Sequence, residues 1–445
     1  MMLEKDYFFL GIGGIGMSAL ARYQLGLGAK VSGFDRRQSP LTSALAAEGA
    51  DIIYSDQAAS LPSGLAPDTT EVIYTPAIKE DHPLFLHFKE NGFPLKKRAE
   101  LLEEITRKME VLAVAGTHGK TTVSVLLAHL LRTASFPHHA FLGGISTNYQ
   151  NNYWGSAEAK VAVVEADEFD RSFLKLQPQV ALLTSMDPDH LDIYGEAGHL
   201  EQSFRDFLAR SQKLKVLNEK LSLPADYHYG FGEDCQFRAS NLVITEHQYQ
   251  FDLHFPEFEI KAVRFALPGK HNVENALAAS ALAALMGLTG DQIKEGLESF
   301  KGVKRRFEYH IKNRDLVYID DYAHHPNEIS AVYEALRALY PQQEITVIFQ
   351  PHLFSRTRDF MTEFAESLSH FDHVILMDIY PARERPIPGI SSQALLQKLK
   401  HDRAALLSRQ EIITELQRQR PEILITLGAG DIDQFVPELK MSLLK

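Results

Sequence analysis

The sequence predicts an α/β chain of three domains, and three observations carry that prediction. At 445 residues the chain is about three times the usual domain length. Three times, an apolar strand-like run leads at once into a glycine turn, as the ligand-facing end of an α/β unit does. These runs are Tyr7 to Leu10 before Gly11, Val111 to Val114 before Gly116, and Ile423 to Ile425 before Gly428. They are too dissimilar and too unevenly spaced to be a solenoid repeat. Between them, Val161 to Val164 and Val180 to Leu183 are continuous apolar runs, as parallel strands covered on both faces require.

The remaining elements fall into place around these. The helical stretch Glu100 to Ile105 closes the first domain, so a boundary is expected near Lys108; a second is expected near Lys312. The domains are then 1–107, 108–312 and 313–445. Segment 237–266 alternates polar and apolar residues and reads as a small antiparallel addition. Beyond 313, Leu316 to Ile319, Thr346 to Phe349 and Val374 to Met377 alternate with helical stretches, giving a third parallel sheet.

Composition narrows the function. Hydrophobic residues at 45% and charged residues at 23% exclude collagen-like, mucin-like and disordered classes. A net charge of −12 argues against non-specific binding to nucleic acid or an anionic membrane. Any anionic ligand must therefore be held by local positive groups. The single cysteine, Cys235, leaves no internal disulfide and no cysteine zinc site. The apolar run Tyr7 to Leu10 is too short for a signal-peptide core, and Ala276 to Leu288 falls below the roughly 20 residues that span a bilayer. A cytoplasmic protein with no nucleic-acid or membrane partner is expected.

The first loop, Gly11-Ile12-Gly13-Gly14-Ile15-Gly16, follows a strand and precedes a helix, and Asp35 ends the next strand. That is a dinucleotide fingerprint, but its physical content is narrower. Glycines admit a pyrophosphate to the backbone, the helix start near Met17 offers positive charge, and Asp35 accepts from a hydroxyl. A nicotinamide or flavin cofactor, another nucleotide diphosphate, or a structural turn all fit.

The second loop, Gly116-Thr117-His118-Gly119-Lys120-Thr121-Thr122, reads as a P-loop. Lys120 neutralises phosphate oxygens and Thr121 binds Mg2+. The match is imperfect, since Val114 stands at the first glycine position. Val123, Leu126, Leu127, Leu130 and Leu131 form the apolar stripe of an amphipathic helix behind it. If ATP and Mg2+ sit there, carboxylates should end the neighbouring strands, and Glu165-Ala166-Asp167-Glu168 and Asp187 to Asp192 do. Glu165 and His190 are the metal candidates, against solvated loop charges. Asn272 and Asn275 share a face at a helix start, where they cap it or read an adenine edge. Arg305-Arg306 is a basic turn or a linker that closes onto phosphate.

In this order the motifs resemble the Mur ligase family, the ATP-dependent amide ligases of peptidoglycan precursor synthesis, over essentially the whole chain. Asp320-Asp321-Tyr322-Ala323-His324-His325-Pro326 belongs to the same series. The glycine loop with Met17-Ser18, the segment Phe349 to Asp359, and Tyr380-Pro381-Ala382 with Pro386 to Gly389 resemble the branch that adds L-alanine to UDP-N-acetylmuramate. A branch attaching a recycled peptide to the same sugar is the alternative.

The resemblance implies that Gly11 to Gly16 and Asp35 hold the UDP part of the sugar in a Rossmann-like first domain, and not a nicotinamide. It implies a central P-loop domain with Lys120 on the ATP phosphates, Thr121 and Glu165 on Mg2+, and His190 at a second metal or water position. Asn272, Asn275, Arg306 and Asp321 face the nucleotide. His352, Arg356 and Arg358, in a Rossmann-like C-terminal domain, face the amino acid or acyl group. Lys120, Glu165, His190 and Arg306 are the expected catalytic set. One departure stands out. Several relatives carry a carbamylated lysine on the helix after the equivalent of His190, and no lysine occurs here between His190 and Lys213. Water or another carboxylate is left for that role.

The implied reaction crowds a triphosphate, a diphosphate and a carboxylate inside an acidic protein. At about 4 Å and an effective dielectric near 20, two unit charges interact by roughly 4 kcal/mol, so each cation is a large term. A monomer or weak homodimer is expected. The rivals from other classes are a nicotinamide oxidoreductase, which leaves the P-loop unexplained, and a P-loop ATPase that makes no amide bond.

Overall fold

The computed structural model describes residues 5–187, 197–382 and 384–444, apart from the side chains of 169, 170 and 197. Its strands form three sheets. The first comprises β1 (Asp6–Leu10), β2 (Val31–Phe34), β3 (Asp51–Ile53), β4 (Thr70–Tyr74) and β5 (Leu95–Lys97). Helices α1 (Ile15–Gly26), α2 (Pro40–Ala47), α3 (Pro83–Glu90) and α4 (Arg98–Thr106) connect and follow them. The order is β3-β2-β1-β4-β5, parallel throughout. The order reverses between β1 and β4, so the first glycine loop opens at a topological switch point.

The second sheet contains β6 (Glu110–Ala115), β7 (His138–Ser146), β8 (Asn151–Trp154), β9 (Val161–Glu165), β10 (Val180–Leu183), β11 (Leu214–Asn218) and β12 (Tyr227–Gly230). Segment 237–266 supplies β13 (Phe237–Thr245), β14 (Gln248–His254) and β15 (Glu259–Phe265) at one end, in the order β15-β14-β13-β12-β11-β10-β6-β9-β7-β8. Its helices are α5 (Lys120–Thr133), α6 (Ala197–Ala209), α7 (Lys270–Leu285) and α8 (Gly290–Ser299). Strand β6 lies parallel between β9 and β10. The P-loop is therefore flanked by the ends of both strands.

The third sheet runs β16 (Glu308–Lys312), β17 (Val317–Asp321), β21 (Ile423–Leu427), β18 (Ile345–Phe349), β19 (His373–Leu376) and β20 (Ala404–Leu406). Its helices are α9 (Pro326–Leu339), α10 (Phe354–Asp359), α11 (Met361–Leu368), α12 (Ser392–Leu399), α13 (Arg409–Arg418) and α14 (Val436–Leu443). All pairs are parallel except β16 with β17. Strand β16 thus joins this sheet, ahead of the boundary expected after Lys312; its residues alternate polar and apolar, but five of them are too short a run to assign it from sequence.

The chain divides into two compact units. One holds the residues through Ser240 together with Leu253–Ile260 and Asn275–Ser299; the other holds Asn241–Asp252, Lys261–Glu274 and the chain from Phe300 onward. Within the first unit, the first two sheets share a core. Phe9, Ile12, Met17 and Leu20 cluster with Val111, Ala113, Phe141 and Val164. A buried polar joint reinforces it. Arg22 pairs with Glu48 at 2.8 Å and donates to Asn152, and Asn152 donates to Ile15 O at 2.6 Å and Ser18 Oγ at 3.0 Å. The change of sheet near Lys108 is not a gap between cores.

Helix α5 departs from the amphipathic expectation. Its predicted stripe is fully buried, but so is every residue from Thr122 to Leu131, because β7, β9 and α8 all pack on it. The polar side of the helix is small or paired. His129 Nδ1 meets Tyr149 OH at 2.8 Å and Nε2 meets Ser299 Oγ at 3.1 Å. Among the described residues, no helix is long and apolar enough to cross a membrane.

Candidate active site

The P-loop is shaped by β6 running into two left-handed glycines. Gly116 has φ +129° and Gly119, which caps α5, has φ +84°. A Cβ on Gly116 would lie 2.1 Å from Thr184 Oγ1 and 2.8 Å from Ser185 N, so no larger residue fits. Ser185 ties the loop down, its carbonyl accepting from Thr117 N at 3.2 Å and its Oγ from His118 N at 2.9 Å. The first helical bond is Val123 N to Gly119 O. The amides of Lys120, Thr121 and Thr122 are therefore first-turn donors, with no acceptor inside the helix.

The side chains of that turn meet the acidic end of β9. Lys120 Nζ donates to Glu168 Oε1 at 2.8 Å and to the carbonyls of Gly116 at 2.5 Å and Thr117 at 3.2 Å. Burial works against its charge, but Glu168, Asp167 and Glu165 outweigh that and hold its pKa above the ordinary lysine value. Lys120 is a fixed cation. Thr121 Oγ1 donates to Glu165 Oε1 at 2.8 Å, while Glu165 Oε2 accepts from Gly143 N at 3.0 Å and Ser124 Oγ at 3.3 Å. One hydroxyl and one carboxylate side by side suit Mg2+, which takes few protein oxygens and completes its shell with phosphate and water. Among the described residues no group of three or more His, Cys, Asp or Glu side chains makes a ready metal site. His190 lies outside the described residues.

Asn275 joins this centre, since a Cβ on Gly119 would lie 2.5 Å from its Oδ1. Thr122 is buried in the first turn of α5, and His118 Nε2 stands 3.4 Å from Asp187.

The N-terminal loop is narrower than the whole Gly11 to Gly16 run expected from sequence. Gly11 N and Ile12 N both donate to Phe34 O, Gly14 N donates to Gly11 O, and Gly13 N donates to Asp35 Oδ2 at 2.8 Å. Ile12 itself is a core residue. The helix bonds begin with Ser18 N to Gly14 O, leaving the amides of Ile15, Gly16 and Met17 as first-turn donors. Asp35 braces the loop through Gly13. A positive group that sequence reading missed stands beside it: a Cβ on Gly16 would lie 2.2 Å from Arg98 Nη1. Arg98 Nη2 is in turn 3.6 Å from Asp167 Oδ2, in the acidic run after β9.

In the second unit, Asn272 Nδ2 donates to Pro268 O at 2.7 Å. Arg306 and Arg305 both lie 5.0 Å from the Tyr322 ring centre. Arg305 is held by Gly428 O at 2.5 Å and stands 3.4 Å from the buried Asp320. Asp321 accepts from Phe307 N at 2.6 Å and Ala323 N at 2.7 Å. Burial pushes its carboxyl up to about 6 against the pull of Arg306. Asp321 therefore pins the arginine turn to the end of β17. His352 stacks on Tyr380 with ring centres 5.8 Å apart and lies 6.1 Å from His324. Arg356 is largely buried on α10. Arg358 is instead exposed and bonded to its neighbour Asp359 at 2.7 Å.

Sequence reading missed Gly143, Glu168 as the partner of Lys120, and Arg98. A signal existed for the first: the Gly143-Gly144 pair in a strand marks a close approach, and a Cβ on Gly143 would fall 2.3 Å from Glu165 Oε2.

Family models match in order: the Mur ligase family catalytic domain over residues 6–109, the Mur ligase middle domain over 114–283, and the Mur ligase glutamate ligase domain over 305–430. A UDP-N-acetylmuramate--L-alanine ligase of Flavobacterium johnsoniae is 48% identical over 440 residues, covering 99% of this chain and 98% of the relative. The crystal structure of the UDP-N-acetylmuramate-alanine ligase of Thermotoga maritima superposes with a TM-score of 0.83 at 27% identity, covering 98% and 99% of the two chains. A murein peptide ligase of Psychrobacter arcticus shares the fold, with a TM-score of 0.72 at 22% identity and coverage of 99% and 98%. With three Mur ligase models spanning the described sheets and a full-length relative at that identity, this chain belongs to the Mur ligase family.

Proposed function

We propose that this chain joins L-alanine to UDP-N-acetylmuramate by an ATP-driven amide ligation, a cytoplasmic step of peptidoglycan precursor synthesis. The observation that carries ligation over nicotinamide redox chemistry is the P-loop centre, where buried Lys120 adjoins the Thr121 and Glu165 pair. The full-length likeness to an L-alanine ligase supports the substrates. Domain 1–107 binds the UDP-sugar, 108–312 binds ATP, and 313–445 takes the amino acid.

The residues divide the work. The first-turn amides of α1, with Arg98 beside them and Asp35 bracing the loop, receive the UDP diphosphate. Gly116 to Thr122 receive the ATP phosphates, with Lys120 leaving Glu168 for a phosphate oxygen. Thr121 and Glu165 would hold Mg2+, with His190 at a second metal or water position, and the ion would neutralise developing phosphate charge. Asn272, Asn275, Arg306 and Asp321 attend the nucleotide, and His352, Arg356 and Arg358 the amino acid. The sugar carboxylate attacks the γ-phosphorus and ADP leaves, giving an acyl phosphate. The neutral amine of L-alanine attacks its carbonyl, and the tetrahedral intermediate expels phosphate. Protein groups act through position and preset charge.

The test is phosphate release from ATP with each substrate omitted in turn. Release that needs both UDP-N-acetylmuramate and L-alanine supports ligation. Release without either makes the chain a simple ATPase, and faster turnover with a peptide than with L-alanine makes it a peptide-recycling ligase.

A further inference from the structure

Helix α10 carries Arg356 and Arg358 but is only six residues long, too short to fix its own place. The residue before it, Leu353, has φ +72° and no side-chain cap, a conformation that a leucine adopts only where its surroundings impose it. The cap comes from another segment. Glu384 Oε2 accepts from Ser355 N at 2.9 Å, and its Oε1 accepts from Ser355 Oγ. A carboxylate there forms a charge-assisted bond at the positive end of the helix.

The same two segments are stitched elsewhere. Tyr380 N donates to Pro351 O at 2.8 Å and Leu353 N to Tyr380 O at 3.0 Å, beneath the His352 and Tyr380 ring stack. Glu384 is itself set by a turn, its N donating to Pro381 O at 2.9 Å, with Ala382 at φ +49°. The backbone bonds fix the strand-like part, and Glu384 alone among these contacts reaches the helix.

We infer that Glu384 is a positioning residue for the amino acid: it holds α10, and through it Arg356, in the geometry that L-alanine meets. This rests on the proposal above that the His352 to Arg358 segment takes the amino acid. It adds a residue from a segment about thirty positions away that touches neither ATP nor UDP-sugar groups named here.

The experiment is steady-state kinetics of Glu384→Ala, Glu384→Gln and Arg356→Ala in the full-length protein, varying L-alanine, ATP and UDP-N-acetylmuramate separately. Glu384→Ala should raise the L-alanine KM about ten- to a hundredfold, the scale of a small misplacement of binding groups. The KM values for ATP and UDP-N-acetylmuramate should stay within about twofold. Glu384→Gln keeps an oxygen that accepts from Ser355 N, so it should recover most of the L-alanine affinity; it also serves if the alanine variant is unstable. Three KM values rising together, or a Gln variant no better than Ala, would overturn the inference. So would an unchanged L-alanine KM in Glu384→Ala. If Arg356→Ala raises that KM in the latter case, the substrate reading survives alone; if it does not, both fall.

Discussion

The two glycine loops of the first unit share one backbone device and differ in where their charge comes from. In each, loop amides are spent on internal bonds, those of Gly11 to Gly14 in the first and of Thr117 and His118 in the second, and three first-turn amides follow: Ile15 to Met17 on α1, and Lys120 to Thr122 on α5. In the P-loop the same three residues carry an ammonium and two hydroxyls, and β9 delivers Glu165 and Glu168 to them. In the N-terminal loop they carry no charge, and the nearby cation, Arg98, arrives from α4. On the proposed assignment, amides and one neighbouring cation hold a diphosphate in place. Moving a phosphoryl group needs charges set to the geometry of transfer, and those must be built into the loop and its neighbouring strands.

The sharpest way to break this contrast is at Glu165. Glu165→Gln keeps the size and an oxygen for Thr121 but removes the negative charge proposed to hold Mg2+. Turnover should fall by about 10² to 10³ while UDP-N-acetylmuramate binding, measured by calorimetry, holds. Equal losses of both would mean the loops are not separate.

The reciprocal change is Gly13→Ala. Its Cβ would lie 2.7 Å from both Asp35 Oδ2 and Thr42 Cγ2, displacing the brace on the N-terminal loop. Loss of one such bond is worth about 1 kcal/mol, so the KM for UDP-N-acetylmuramate should rise several-fold to tenfold with that for ATP unmoved. A rise confined to ATP contradicts the assignment.

Acid should distinguish the loops as well. Burial lowers His129, on α5, and His138, which opens β7, to about 4. Between pH 6.5 and 4 the unfolded chain binds protons that the folded chain refuses, so stability falls as pH drops through that window, by up to roughly 3 kcal/mol for each group. Helix α1 carries no histidine. Hydrogen-exchange protection factors at pH 7 and pH 5 should therefore fall more in α5 and β7 than in α1; equal falls would show that the shared core opens as one.

The smallest effect is expected from Asp35→Asn. The amide oxygen still accepts from Gly13 N, so the UDP-N-acetylmuramate KM should shift by about threefold or less. A loss of tenfold or more would give Asp35 a direct contact with the ligand in place of its bracing role.

Much of this was legible in the sequence because it is local. A strand followed by glycine and a helix encodes each loop, and Lys120, Thr121 and Glu165 announce themselves at the ends of apolar runs. What was illegible arrives from a distance. Arg98 reaches Gly16 from α4, the Gly143 amide reaches Glu165 from β7, and Glu384 reaches α10 from beyond β19. No period or spacing records such meetings. The glycine fingerprint shows where amides are and not which already have acceptors. Arg358 shares its motif with Arg356, yet α10 turns it toward Asp359 and solvent. Strand β16 was hidden because it is only five residues long, too short for its polar and apolar alternation to stand out from the basic turn before it.

The most direct test titrates UDP-N-acetylmuramate into Lys120→Ala. Two cradles for two molecules predict a Kd within about threefold of the unaltered protein, with ADP formation abolished. Loss of sugar-nucleotide binding in a variant that keeps its fold, or ATP competing for that same site, would contradict the account.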